Sequence, residues 1–334
     1  MTLAARLAAL LGTPVRTVTD LGPSHAWTLH RAELSDGRTV FVKAATEHAP
    51  VLAAEAAGLR WLADGTADND RTALGATENG ARREATEGHR GTVGAEESSR
   101  GASESAGSAG LLPQAPAVDR GGLVPAVVAA EQGLLVLPWL PEATPTPAAA
   151  ERFGRELAAL HAHSPARFGA PWPGWIAELP LDNTVRPGPW AQWYAERRLA
   201  PYLPGAAAVL GRDGIRLLER VIDRIDALAG PPEPPARLHG DLWSGNLRWT
   251  PDRVMLIDPA AHGGHRETDL AMLSLFGAPH LDRILAAYHE THPLADGWRA
   301  RVPLHQLHPL LVHVVLFGGG YANQTLTAAT TLLT

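Results

Sequence analysis

Cysteine is absent from the 334-residue chain. Its absence excludes a disulfide framework, zinc–thiolate sites and a thiol nucleophile, and suits a reducing cytosol. A basic run is missing too: formal net charge is −6 with histidines neutral. Nucleic acid is therefore not expected as a partner, because phosphate-backbone binding leaves a basic footprint. No apolar stretch approaches the roughly 20 residues needed to span a bilayer. The first eleven residues lack a basic start, a long apolar core and a cleavage site, so they read as an amphipathic helix rather than a leader. These absences point to a soluble, cytoplasmic protein, long enough for one large domain or two lobes.

What the chain does contain is Arg237-Leu-His-Gly-Asp-Leu-Trp-Ser-Gly-Asn246, followed by Asp258 at the end of the apolar run Val254-Met-Leu-Ile257. Phosphoryl transfer needs a carboxylate to orient and deprotonate a hydroxyl, and oxygen ligands to hold Mg²⁺ on the phosphates. Asp241 suits the first role. Asn246 and Asp258 suit the second, since Mg²⁺ is hard and takes oxygen ligands. The spacing points to an ATP-dependent kinase. As an exposed loop carboxylate, Asp241 is expected to contribute little to packing.

Upstream, Leu21-Gly-Pro-Ser-His25 lies between strand-like stretches. It reads either as a phosphate-covering turn or as an ordinary hairpin turn, since it has one glycine. Asp36-Gly37 is a good hairpin turn leading into the alternating strand Thr39–Ala44, with Lys43 on the face opposite Val42. A helix beginning near Ala49 carries Glu55. Taken singly, both charges would be surface residues; in this order they read as the strand lysine that grips the α/β-phosphates and its ion-pair partner. From Asp64 to about Gly122 large apolar residues nearly vanish, and too little surface can be buried to offset ordering entropy. That segment is expected to be a disordered insertion, and no motif in it supports a partner-binding role. The apolar strand Gly133–Leu140 then ends irregularly, as a hinge between lobes would. Pro138 offers a carbonyl there and Leu140 both backbone groups, so Pro138, Trp139 and Leu140 are candidates to meet an adenine. The expected division is 1–137 and 138–334.

Thr146-Pro147 opens a helix running to His161. Further helices are expected over Trp190–Tyr202 and Ile215–Leu228, the latter stopped by the prolines at 231–235. His161 with His163, and the eight histidines from His262 to His313, match no zinc spacing. They read as core or surface residues.

Leu238-His-Gly-Asp-Leu-Trp-Ser-Gly-Asn246 with Ile257-Asp-Pro259 resembles the aminoglycoside-phosphotransferase-like kinases. Trp243 and the stretches Tyr194–Leu199, His265–Met272, Leu275–Gly277, Tyr288–Glu290, Val302–Leu304 and Leu316–Tyr321 resemble the fructosamine kinase (ketosamine-3-kinase) family within that group. The resemblance spans nearly the whole chain outside the insertion. It implies an α+β, two-lobed protein-kinase-like fold, with a small antiparallel-sheet lobe and a larger, mostly helical one. It implies ATP and Mg²⁺ as cofactors, and transfer of phosphate to the 3-hydroxyl of a small-molecule or protein-bound ketosamine, an adduct that this destabilises. By resemblance Asp269 braces the catalytic loop, and His239 supports it. Trp243 is read as a wall of the sugar pocket or, equally, as loop packing. Two departures stand out. The Leu21–Trp27 region is less glycine-rich than the family pattern, and Pro138 replaces a common acidic residue. The cysteine through which some relatives are redox-controlled is missing, so that control does not carry over. Other acceptors (aminoglycoside, choline, homoserine) and a silent nucleotide-binding protein are the competing readings.

Overall fold

The computed structural model describes residues 1–24, 27–45, 50–64 and 122–334. The expected disordered insertion over 64–122 lies, apart from its two end residues, outside the described residues, as do His25 and Ala26 of the expected phosphate turn.

Helix α1 (Leu3–Leu11) is capped at its start by the Thr2 side chain, which accepts the Ala5 N–H at 3.3 Å, and ends at Gly12 with φ +61°. These are the usual solutions for unpaired helix-end groups. Strands β1 (Val15–Ser24), β2 (Trp27–Leu34), β3 (Thr39–Ala44), β4 (Ala129–Glu131) and β5 (Leu134–Pro138) form one antiparallel sheet in the order β1-β2-β3-β5-β4. Strand alternation sorts the side chains of β3. Val40 and Val42 pack with Leu7 of α1 on one face. Lys43 turns to the other, where helix α2 (residues 50–64) buries Leu52, Ala56, Leu59 and Leu62. Glu55 lies within that buried stripe.

The remainder is mainly helical, the α+β division expected. Helix α3 (Pro147–Ala162) starts with proline at its first turn, and the Thr146 hydroxyl accepts the Ala149 N–H at 3.2 Å. It buries Phe153, Leu157 and Leu160; each such side chain contributes about 1.5–3 kcal/mol. Helix α8 (Leu281–Thr291) lies so close that a Cβ added to Gly154 would sit 2.3 Å from the Ile284 carbonyl oxygen. Gly154→Ala is therefore expected to cost about 1–3 kcal/mol by overpacking. A urea midpoint unchanged from wild type would show that the two helices part freely.

Two helices depart from the sequence reading. Trp190–Tyr202 is not one helix: α4 (Trp190–Tyr194) widens into a π-turn over Ala195–Leu199 and tightens to a 3₁₀ turn over Ala200–Tyr202. Pro201 has no N–H to continue the ladder, and the Arg198 guanidinium donates to the Arg197 carbonyl at 3.1 Å instead. The helix expected over Ile215–Leu228 is longer and broken. It spans α5 (Leu203–Asp223), kinked at Gly211 with φ +67°, and α6 (Ile225–Leu228).

Short strands then build the loop region. A hairpin, β6 (Gly174–Ile176) with β7 (Leu179–Leu181), precedes it in sequence. Strand β8 (Ala236–Leu238) pairs with β11 (His262–Gly264), and β9 (Leu247–Trp249) pairs with β10 (Val254–Leu256). Helices α7 (Glu267–Phe276), α9 (Trp298–Phe317) and α10 (Ala322–Leu333) complete the fold. Among the described residues no helix is long and apolar enough to cross a membrane.

Candidate active site

The two antiparallel pairs hold residues 239–246 between them. Gly240 adopts φ +81°, and a Cβ there would lie 2.3 Å from the Ala260 carbonyl oxygen, so the turn after His239 admits only glycine. Asp269, buried on α7, receives the loop from below. Its carboxylate accepts the His239 N–H at 2.8 Å and the Gly240 N–H at 2.9 Å. His161 of α3 meets the same carboxylate at 3.1 Å and the Tyr288 hydroxyl at 2.9 Å. Burial alone would raise the Asp269 pKa; His161, His239 and the Gly240 N–H outweigh it and leave it below the ordinary value.

The His239 ring spans the loop. Its Nε2 donates to the Ile257 carbonyl at 2.8 Å, while Nδ1 accepts the Asp241 N–H at 3.3 Å. Burial depresses its pKa, so the ring is a neutral linker between Asp241 and the residue before Asp258. The Asn246 amide donates to Asp241 twice, to the backbone carbonyl at 2.9 Å and to Oδ2 at 3.0 Å. These bonds use the amide nitrogen and not the side-chain oxygen, which could serve as a ligand. Asp241 is partly buried rather than exposed, and burial pushes its carboxyl up to about 7.

Lys43 joins the sheet to this loop. Its Nζ lies 2.9 Å from both Glu55 oxygens and 2.5 Å from Asp258 Oδ1, with the Trp27 ring centroid 5.5 Å away. Burial opposes the ammonium charge, but the two carboxylates outweigh it and raise the pKa. Asp258 has φ +57°. A non-glycine residue in that region costs about 1–3 kcal/mol and is common at functional sites. Arg237 fastens α2 to the loop as well, with its guanidinium 4.8 Å above the Trp61 ring and donating to the Trp61 carbonyl.

Lys43, Glu55, Asp241, Trp243, Asn246 and Asp258 all line one cavity of about 600 Å³. Asn246 and Asp258 present hard oxygen donors to it, a set that fits Mg²⁺. Trp243 is 39% exposed and packs edge-on against Phe276, with ring centroids 6.1 Å apart. A Cβ on Gly245 would meet its ring at 2.3 Å, so the missing side chain at 245 lets the indole fold back over the loop.

The fructosamine kinase family model matches residues 114–334. The chain belongs to this family. A crystal structure of a candidate fructosamine-3-kinase from Thermobifida fusca is 44% identical, covers 99% of this chain and 98% of its own, and has a TM-score of 0.80. A Synechocystis protein named "probable ketoamine kinase" is 36% identical over 197 residues, 57% of this chain; the match spans 64% of that relative's length, just under two thirds. An aminoglycoside phosphotransferase at 13% identity shares the fold, with a TM-score of 0.58 over 99% of this chain and 98% of its own.

Within this fructosamine kinase fold, the residues singled out from sequence converge, with one exception. Pro138 ends β5 and Trp139 and Leu140 follow it, but all three lie outside the cavity's lining. The Trp139 N–H is already spent on the Thr39 carbonyl at 3.2 Å. Sequence reasoning passed over His161 as an ordinary core or surface histidine, and assigned no role to Trp172, Trp175, Phe276, His313, Phe317 or Tyr321, which also line the cavity. One unused signal was in plain view. Lys43 is the only lysine in the chain.

Proposed function

We propose that this chain transfers the γ-phosphoryl group of ATP to the 3-hydroxyl of a ketosamine. The observation that carries the reading is the meeting, in one cavity, of Lys43 with Glu55 from the sheet and Asp241, Asn246 and Asp258 from the loop. Residues 1–137 then supply the nucleotide grip, and residues 138–334 the catalytic loop and acceptor wall. Lys43, held charged by Glu55, grips the α/β-phosphates. Asp241 accepts a hydrogen bond from the acceptor hydroxyl and takes its proton as the oxygen attacks phosphorus. The Asn246 amide keeps Oδ2 of Asp241 oriented while its oxygen, with Asp258, would hold Mg²⁺. That ion supplies charge neutralisation at the β/γ-phosphates. Asp269 and His239 set the loop so that these atoms need no rearrangement, and preorganisation of this kind is where phosphoryl transfer gains most of its rate.

ADP release measured over a panel of acceptors tests the reading. Fructose- and ribulose-linked lysine are expected to turn over fastest, and the product to carry phosphate on the 3-oxygen by phosphorus–proton correlation. Faster turnover of an aminoglycoside, choline or homoserine would replace the ketosamine with that acceptor.

A further inference from the structure

The far wall of the cavity is built from rings. Phe276 ends α7, while His313 and Phe317 lie one turn apart on α9. Tyr321 returns after the Gly318–Gly320 turn. The His313 ring centroid is 5.0 Å from that of Phe276, 5.4 Å from Phe317 and 4.7 Å from Tyr321. Trp243 closes the group through Phe276 at 6.1 Å. All five line the cavity that holds Asp241. Phe317 is 60% exposed, an unusual position for a phenylalanine whose task is core packing.

His313 gives the cluster a polar direction. Its Nδ1 lies 2.7 Å from the Pro309 carbonyl, an acceptor, so the ring proton sits on Nδ1. Nε2 is left with its lone pair. Burial lowers the ring's pKa, so the imidazole stays neutral in the physiological range. The wall therefore offers several π faces and one hydrogen-bond acceptor. A cation that carries an N–H matches that combination, because ring faces attract cations and a lone pair accepts the proton. A sugar hydroxyl uses only the second part.

We propose that Trp243, Phe276, His313, Phe317 and Tyr321 form an ammonium subsite that takes the protonated secondary amine of the acceptor, with His313 Nε2 accepting its N–H. The assignment rests on the ketosamine reading above. In a ketosamine the nitrogen is bonded to carbon 1, close along the chain to the 3-hydroxyl. Trp243 follows Asp241 by two residues, so the ring wall begins beside the carboxylate that meets this hydroxyl. The subsite selects sugars joined to amines over free ketoses. Without such a filter, ATP would be consumed on every ketose that fits the sugar pocket.

The test uses the full chain with Mg-ATP and two acceptors that differ in one atom. Fructose is joined to an alkyl chain through N–H, which is cationic, or through an ether oxygen, which is neutral. KM and kcat come from ADP release, and affinities from calorimetry without nucleotide. Wild type is expected to favour the amine in KM by about tenfold or more, the scale of a desolvated cation–π contact. Phe317→Leu, at an exposed position that leaves folding intact, is expected to raise KM for the amine severalfold and to erode the preference over the ether. Equal constants for the two acceptors, or an equal loss for both in Phe317→Leu, would overturn the subsite. If neither acceptor is phosphorylated, the ketosamine reading falls, and calorimetry decides the subsite alone: tighter amine binding supports it and equal binding overturns it.

Discussion

Asp241→Asn is expected to lower kcat by about 10²–10⁴-fold, the contribution typical of a positioned general base, while making the protein more stable near neutral pH. The second half follows from linkage. Burial raises the Asp241 pKa from 3.8 to about 7. Between those values the folded state binds more protons than the unfolded one, so the group erodes stability as pH rises through that window. Asparagine never ionises and escapes this cost. Thermal unfolding at pH 5 and pH 8 checks the sign: the variant's advantage should grow with pH. The same pKa makes a kinetic prediction for the wild type. The base must be deprotonated to act, so kcat/KM should fall as pH drops below about 7. Activity surviving within severalfold in Asp241→Asn would end its assignment as the base.

Asp269→Ala should produce the other large effect, and mainly on folding. The substitution strands the His239 and Gly240 N–H groups together with the His161 ring nitrogen. Each buried donor left unpaired costs about 1–3 kcal/mol, so a loss of several kcal/mol is expected in urea unfolding. The folded fraction should also be slow, because the turn that positions Asp241 loses its anchor. Asp269→Asn keeps one acceptor oxygen and should fall between the two. Sign and window follow from a depressed pKa: the carboxylate's stabilising contribution is complete above its unfolded value near 3.8 and is lost as pH falls further. A wild-type stability in Asp269→Ala would show that water replaces the carboxylate without cost.

The parts of the site that were legible in sequence are those whose chemistry forces a local pattern. Asp241 and Asn246 share one loop, and Gly240 is required by the turn itself. Lys43 could be placed because strands alternate and β3 is framed by a good turn; Glu55 follows because helix α2 must return along that strand's inner face. The family resemblance supplied Asp269, which spacing alone would not have found. The His161 brace was hidden because its partner lies 108 positions away, and nothing local distinguishes it from a packed imidazole. The ring wall was hidden for the same reason: Trp243, Phe276 and Tyr321 meet only once α7 and α9 have packed. Helix continuity across Ala195 failed for a different cause, a proline whose missing N–H acts on the turn before it. The apolar strand before Pro138 was legible, and β5 does end there; that the Trp139 N–H is taken by Thr39 was not, because the pairing is fixed by register with β3 rather than by residue identity.

Lys43 has one more consequence. It is the only lysine in the chain, and its side chain is 2% exposed, locked between two carboxylates. A reducing sugar condenses with an uncharged, accessible amine, and this ammonium is neither. The molecule thus presents no lysine to the sugars whose amine adducts we propose it phosphorylates, and cannot become its own substrate through a lysine side chain.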